Sequence, residues 1–246
     1  MNVLSIGNSF SCDAQRYLNA ISARDSNEIY CVNLYIGGCS LETHVENLKA
    51  DAPAYDFEKN GKEGSRKISI KEAVELCKWD VVTLQQVSGK SGIKESFEPY
   101  LGILFDYVKK SLPEAKIYFH ETWAYDVSSA HPDFVYYNND RDYMQSRIKQ
   151  TYEYYSKKYG VEILPVGEVI QHFRKNVEPF CDGVSLTRDS FHLSFTYGRY
   201  IASLVWYYIF TGRDAQKTEY VPEEENVDIE IIKRIRKEIS SYFNNR

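Results

Sequence analysis

The stretch NVLSIGNSFS, residues Asn2–Ser11, indicates the fold class of this chain. It consists of a short apolar run, a glycine and a polar turn, and a helical pattern begins near Asp13. A strand, a turn and a helix in this order form the repeating unit of parallel α/β sheets. Such sheets present functional side chains at the carboxyl ends of their strands. We therefore expect Ser9 to be a nucleophile on which the other functional segments converge.

Strands and helices alternate along the rest of the sequence. Apolar, β-branched or aromatic runs predict four more strands, at Glu28–Ile36, Asp80–Leu84, Lys116–His120 and Val161–Pro165. Helical patterns occupy Asp13–Arg24, Ile70–Cys77, Ser96–Leu112, Arg141–Tyr159, Gly167–Lys175, Thr196–Thr211 and Val227–Phe243. The polar segment Asp51–Ser69 predicts a surface excursion or hairpin. The alternation predicts a three-layer α/β/α, flavodoxin-like fold. We expect residues 1–246 to form one domain of this fold, with five parallel strands in the order 2-1-3-4-5.

Composition narrows the class of protein. The 246 residues are 43% hydrophobic and carry a net charge of −5, which argues against a nucleic-acid or anionic-membrane surface. The most apolar helical segment, Ile201–Phe210, is far shorter than the ~20 residues that span a bilayer, so no membrane span is predicted. Five cysteines without a CxxC pair or zinc-site spacing predict reduced thiols and a cytoplasmic setting. A secreted or periplasmic native form stays open if a leader was removed ahead of Met1.

A carboxylate and an imidazole, Asp189 and His192, lie three residues apart. An aspartate in this position can accept from one ring nitrogen and leave the other free as a base. An acyl-transfer site also needs donors for an oxyanion. The candidates are the Ser9 amide, the Gly37-Gly38 turn after the second strand and the Gln86 side chain after the third. Taken singly, each of these features has a plain structural interpretation.

The order of these segments resembles the SGNH (GDSL-like) hydrolase superfamily, which comprises esterases and lipases of flavodoxin-like fold. The serine block of that family matches Gly7–Ser11, its glycine block matches Gly38, and its closing block matches Asp189–Ser194. The resemblance implies that Ser9, His192 and Asp189 form a catalytic triad. It also implies that the Ser9 and Gly38 amides hold the oxyanion and that no cofactor is needed.

The third block departs from the family pattern. The family has Gly-x-Asn-Asp, whose asparagine donates to the oxyanion, whereas Leu84–Gly89 contains no asparagine. Some carbohydrate-acetylesterase branches look similar in using a glutamine at this strand end. The resemblance therefore assigns the role to Gln86, and Gln85 or a backbone amide remains an alternative.

A further group of side chains is predicted at the rim of the site. The candidates for the substrate pocket are Asn8, Gln85, His120, Trp123 and Tyr125. An aromatic shell packed under the rim is an equal alternative for the residues that follow the fourth strand. The aromatic segment 123–139 has the composition of a lid or rim. For the remaining histidines we expect structural or surface roles; they are His44, His131 and His172.

Three functions fit the sequence. The first is a serine esterase for small acyl esters; the resemblance implies O-acetyl groups on carbohydrate, with lipid esters and thioesters left open. Its partner is a small-molecule or carbohydrate ester, with no metal or cofactor. The second is a non-catalytic carbohydrate-binding protein on the same fold, suggested by the altered third block. The third is a nucleotide or phosphate binder at the Gly7–Ser9 turn, which leaves Asp189 and His192 without a role.

Overall fold

A mixed β-sheet is the centre of the computed structural model, which describes residues 1–23, 28–62, 64, 66–224 and 227–245. Its seven strands are β1 (Asn2–Gly7), β2 (Tyr30–Tyr35), β3 (Tyr55–Lys59), β4 (Lys67–Ile68), β5 (Val81–Leu84), β6 (Lys116–His120) and β7 (Glu162–Leu164). They lie in the order 4-3-2-1-5-6-7. The strand β1 is central and pairs in parallel with β2 and β5, so the residues after it reach the middle of the sheet edge.

The α/β class is confirmed, but the prediction of a five-stranded parallel sheet in the order 2-1-3-4-5 is wrong. Two antiparallel strands, β3 and β4, extend the sheet beyond β2. Both strands come from Asp51–Ser69, the segment for which the sequence predicts a surface excursion or hairpin. In β3 the apolar Tyr55 and Phe57 are buried on one face and alternate with the half-buried Asp56, while Glu58 is buried on the other face. Its charged residues and short length obscured this signal in the sequence.

Nine α-helices are found in the described part of the chain. They are α1 (Ser9–Gln15), α2 (Leu18–Ser22), α3 (Leu41–Ala50), α4 (Ile70–Glu75), α5 (Tyr100–Ser111), α6 (Arg141–Tyr159), α7 (Val166–Asn176), α8 (Tyr197–Thr211) and α9 (Ile229–Asn244). The predicted helix Asp13–Arg24 is instead two short helices, α1 and α2, and Arg24 lies outside the described residues. Helix α3 was not predicted; the Ser40 side chain caps it by accepting from the Thr43 amide.

The helices pack in two groups around the sheet. Helix α8 packs against α1, α2, α7 and α9, and its residues Tyr200–Tyr207 are all buried. Helix α3 packs against α4 and α5. The strands are buried accordingly; in β1, Val3, Leu4 and Ile6 have no exposed surface. None of the described helices combines the length and apolar character needed to cross a membrane.

Candidate active site

Three predicted side chains lie in series at the carboxyl end of β1. The Ser9 Oγ is 2.9 Å from Nε2 of His192, and Nδ1 of His192 is 2.7 Å from Oδ2 of Asp189. Ser9 is the first residue of α1, and Asn8 caps this helix by accepting a 3.0 Å hydrogen bond from the Phe10 amide. The structure therefore brings together a hydroxyl, an imidazole and a carboxylate in the order required for nucleophile activation.

The loop that carries the carboxylate and the imidazole is closed on itself. Oδ1 of Asp189 accepts from the backbone amides of His192 (2.7 Å) and Phe191 (3.3 Å), and Ser190 has a positive φ of 72°. Partial burial works to raise the pKa of the Asp189 carboxyl, but the hydrogen bonds from the His192 ring and backbone lower it below its ordinary value. The carboxylate is thus available at neutral pH to hold the ring orientation.

A buried ion cluster joins this loop to the helix of Ser9. Asp13, which has no exposed surface, accepts from Arg188 Nη1 (3.0 and 3.1 Å), Arg199 Nε (2.7 Å) and the Leu193 amide (2.9 Å). We call these three charged residues the Asp13 cluster. The sequence suggested only that Asp13 favours a helix start. Its partners lie 175 and 186 positions away, so no local pattern reveals the pairing.

Two residues that line the space at Ser9 are candidates for backbone oxyanion donors. Gly38 has a φ of +64°, a conformation that glycine adopts without strain, and both Gly37 and Gly38 line a cavity together with Ser9. The Ser9 amide belongs to the first turn of α1, where amides have no intrahelical partner. Within the described chain no acceptor is found for either the Ser9 or the Gly38 amide.

Gln86 is not placed as the expected side-chain donor. Its Nε2 donates to the Ser96 carbonyl (2.9 Å) and hydroxyl (3.2 Å), and its Oε1 accepts from the Leu41 (3.0 Å) and Val87 (2.8 Å) amides. All these partners belong to neighbouring loops and to the start of α3. The side chain therefore ties the end of β5 to its surroundings, and its amide is not directed to Ser9.

Gln85 and His120 form a polar layer beneath Ser9. Gln85 Nε2 donates to Asn8 Oδ1 (2.6 Å), and Gln85 Oε1 lies 2.7 Å from His120 Nδ1 and 2.5 Å from the Ser11 Oγ. All four side chains are buried, and burial lowers the pKa of His120 to about 3. Of the predicted pocket residues in this layer, Asn8 lines a cavity beside Ser9, whereas Gln85 and His120 line neither of the two cavities that contain Ser9. Gln85 holds the Asn8 cap below Ser9 from inside the fold, and His120 in turn contacts Gln85.

Trp123 and Tyr125 form a packed aromatic layer under the His192 loop. Trp123 stacks on Phe10 at 4.1 Å and donates from Nε1 to the Phe191 carbonyl at 2.7 Å. The Tyr125 hydroxyl is 3.0 Å from the Ser88 Oγ. Both aromatic side chains are fully buried, and neither lines a cavity at Ser9. Their position fits an aromatic shell packed under the rim and does not fit a substrate pocket.

The segment 123–139 is attached to the same loop. The Asp126 amide donates to the Ser190 carbonyl at 2.7 Å, and the Asp126 carboxylate accepts from Thr187 at 2.7 Å. A 3₁₀-helix at Pro132–Tyr137 buries Phe134 and Tyr137. These contacts describe a rim that supports the site.

Two cavities meet at Ser9 and His192. The smaller, of about 270 Å³, is lined by Asn8, Phe10, Tyr35, Gly37, Gly38, Val87, Ser88, His131 and Phe191 in addition to that pair. The larger, of about 440 Å³, is polar and includes Cys12, Tyr35, Asp56, Glu58, Arg188 and Arg199. His131, for which a structural or surface role was expected, thus faces the small cavity.

The other histidines lie away from these cavities. His44 is buried and 2.9 Å from the Tyr55 hydroxyl, and His172 pairs with Glu238 at 2.6 Å. Among the residues that the structure describes, no group of three or more His, Cys, Asp and Glu side chains could hold a metal ion.

Residues 2–236 match the model of DUF4886, a domain of unknown function. The chain belongs to the DUF4886 family. A crystal structure of a DUF4886 family protein from Bacteroides uniformis is similar at 32% identity and a TM-score of 0.90. The match covers 99% of this chain and 95% of that one. Comparison with the curated proteins gave no match.

More distant solved structures place this DUF4886 chain among known folds. One, from Slackia heliotrinireducens and provisionally described as an SGNH hydrolase, is 19% identical with a TM-score of 0.57; 84% of this chain and 97% of that one are covered. The acetyl xylan esterase AlAXEase is 15% identical with a TM-score of 0.54, over 84% of this chain and 98% of that one. The DUF4886 chain therefore has a fold similar to that of SGNH hydrolases.

Proposed function

We propose that this DUF4886 protein is a serine esterase that hydrolyses small O-acyl esters, with O-acetyl groups on carbohydrate as the substrate class. The observation that carries the proposal is the unbroken series Ser9, His192 and Asp189, with contacts of 2.9 and 2.7 Å. The series lies at the carboxyl edge of a parallel strand pair, between two cavities. The fold that the chain shares with an acetyl xylan esterase supports the same class of reaction.

The reaction begins when the Ser9 Oγ attacks the ester carbonyl. His192 Nε2 takes the hydroxyl proton, and Asp189 holds the protonated ring through Nδ1. The tetrahedral intermediate collapses when the bond to the alcohol oxygen breaks, and His192 returns the proton to that oxygen. Water then attacks the acyl-enzyme with His192 again as the base, and a carboxylic acid and free Ser9 are formed.

The oxyanion is held by the Ser9 and Gly38 amides. Both amides are free of an internal acceptor in the described chain, and both belong to residues that line the small cavity. Preorganised donors of this kind stabilise charge that develops in the transition state. The Gln86 side chain has no part in this proposal because Ser96 already accepts its amide protons.

Cavity shape supports a small acyl group. The cavity that contains Gly38 measures about 270 Å³ and is partly walled by the Phe191 and His131 rings. We assign the acyl group to this space and the alcohol to the larger, polar cavity of about 440 Å³. A polar cavity of this size fits a sugar better than the chain of a lipid ester.

The test is turnover of 4-nitrophenyl acetate together with labelling by a serine-directed organophosphonate. Ser9→Ala should lower kcat roughly 10⁴-fold or more, since loss of the nucleophile leaves only binding and oxyanion contacts. Wild type should gain one adduct, which peptide mass spectrometry places on Ser9. Ser146→Ala, which removes an exposed serine of α6, is the matched control and should retain turnover and adduct. Absence of both turnover and adduct in wild type would favour the non-catalytic carbohydrate-binding protein.

A further inference from the structure

One wall of the larger cavity is built from two guanidinium groups. Arg188 and Arg199 line this cavity beside Ser9 and His192, and their side chains are 23% and 12% exposed. Both rest on the fully buried carboxylate of Asp13. One carboxylate facing two guanidinium ions leaves one formal positive charge in the Asp13 cluster. The arginine wall is therefore locally positive, and it favours a negatively charged group placed directly against it.

Both guanidinium groups are held in place before any ligand arrives. Arg188 Nη1 donates hydrogen bonds to the Asp13 carboxylate and to the Leu193 carbonyl, and Arg199 Nε donates to the Asp13 carboxylate. Phe195 lies between them, with its ring centroid 5.0 Å from Arg188 Cζ and 4.8 Å from Arg199 Cζ. For the two Nη groups of Arg199, no acceptor is found in the described ranges. Fixed donors bind a carboxylate at low cost in side-chain entropy.

The same cavity also contains two carboxylates. Asp56 pairs with Lys67 at 2.8 Å, and the buried Glu58 accepts from Asn33 Nδ2 at 2.7 Å. These oxygens are acceptors for hydroxyl groups, whereas the arginine wall supplies only donors. The ligand that fits both sets is an anion that also carries hydroxyl groups.

We propose that the larger cavity is a subsite for an acidic carbohydrate, whose carboxylate binds Arg188 and Arg199 and whose hydroxyl groups bind Asp56 and Glu58. The inference rests on the proposed esterase function only in taking this carbohydrate to be the alcohol part of the ester. The volume of about 440 Å³ lies within the range of small-molecule sites.

Binding is measured on the Ser9→Ala protein, because this variant should bind the probes without hydrolysing them. The probes are 3- and 4-acetoxybenzoate and their neutral carboxamides, compared by calorimetry. Arg199→Gln in this background should weaken benzoate binding roughly 10- to 100-fold, the range expected for a hydrogen bond to a charged group, and carboxamide binding less than about threefold. Arg199→Lys, which keeps the charge, should lose less. Arg234→Gln removes an exposed arginine of α9 and is the matched control.

Kinetics separate this inference from the proposed function. In protein with Ser9 intact, Arg199→Gln should lower the ratio of kcat/KM for the benzoate to that for the carboxamide. Comparison of this ratio between wild type and Arg199→Gln cancels the different reactivities of the two leaving groups. If the benzoates bind more tightly than the carboxamides through Arg199 but are not hydrolysed by wild type, the subsite proposal is supported and the esterase proposal is refuted. Turnover with equal binding of both probes, or equal losses for both in Arg199→Gln, would overturn the subsite.

Discussion

Replacement of Asp13 by asparagine tests whether the Asp13 cluster holds the site together. The carboxylate is fully buried and accepts from Arg188, Arg199 and the Leu193 amide at 2.7 to 3.1 Å. Breaking a buried ion pair costs about 3–5 kcal/mol, because a charge is left without its partner. Here both arginines reach the water of the cavity, and asparagine keeps one acceptor oxygen. We therefore expect Asp13→Asn to lower the free energy of unfolding by about 2–3 kcal/mol.

The same substitution should also change catalysis. Asp13 binds the backbone directly after His192 and belongs to the helix that begins at Ser9. A displacement of about 1 Å at a reacting group can cost about 10²-fold in rate, so kcat for 4-nitrophenyl acetate should fall by up to that factor.

Urea unfolding gives the stability change, and turnover is measured at a temperature where circular dichroism shows the variant folded. Asp142→Asn is the matched control, because its pair with Lys175 is 58% and 48% exposed and should contribute at most about 1 kcal/mol. Equal stability of Asp13→Asn and wild type would refute the stabilising role of the Asp13 cluster. Lost stability with an unchanged kcat would show that the cluster supports the fold without positioning His192.

Two further predictions concern Gln86 and the buried histidines. Gln86→Ala should lower the free energy of unfolding by about 1–3 kcal/mol through loss of the Ser96 and Leu41 contacts. Its kcat for 4-nitrophenyl acetate should change less than about tenfold, because the Gln86 amide is not directed to Ser9. A loss of ~10²- to 10³-fold, which is typical of an oxyanion donor, would show that Gln86 does bind the oxyanion. Burial lowers the pKa of His44 and His120 from 6.5 to about 3, so the unfolded chain takes up protons that the folded chain does not. Stability should therefore fall as the pH drops from 6.5 toward 3, by up to about 1.4 kcal/mol per pH unit for each ring. Urea titrations of wild type and His44→Gln at several pH values should give a shallower slope for the variant, and parallel slopes would contradict this account.

The parts of the structure that follow local patterns were predictable from the sequence. The apolar run before Ser9 and the β-branched run before Leu84 form β1 and β5, because each pattern is continuous over the strand itself. The spacing of Asp189 and His192 closes a short loop in which the carboxylate accepts from the following amides. Such contacts span two or three residues and leave a local signal.

The parts that depend on distant partners were not predictable. Strand β3 forms because the edge of β2 offers backbone groups with which it can pair. The charged sequence of the β3–β4 hairpin gives no local sign of this pairing. The direction of Gln86 is determined by Ser96 and Leu41, two residues outside its strand. Asp13 can be buried because two arginines distant in sequence pair with its carboxylate. The sequence alone does not show whether an aspartate is buried or exposed.

The 183 positions that separate Ser9 from His192 affect how the protein is made. A ribosome adds about 5–20 residues per second, so roughly 10 to 40 seconds pass between synthesis of the hydroxyl and of its base. During that interval the serine side chain is present without the imidazole that would remove its proton. Under the proposed mechanism, the nascent chain cannot activate Ser9 toward esters before His192 has been added and the two residues have been brought together.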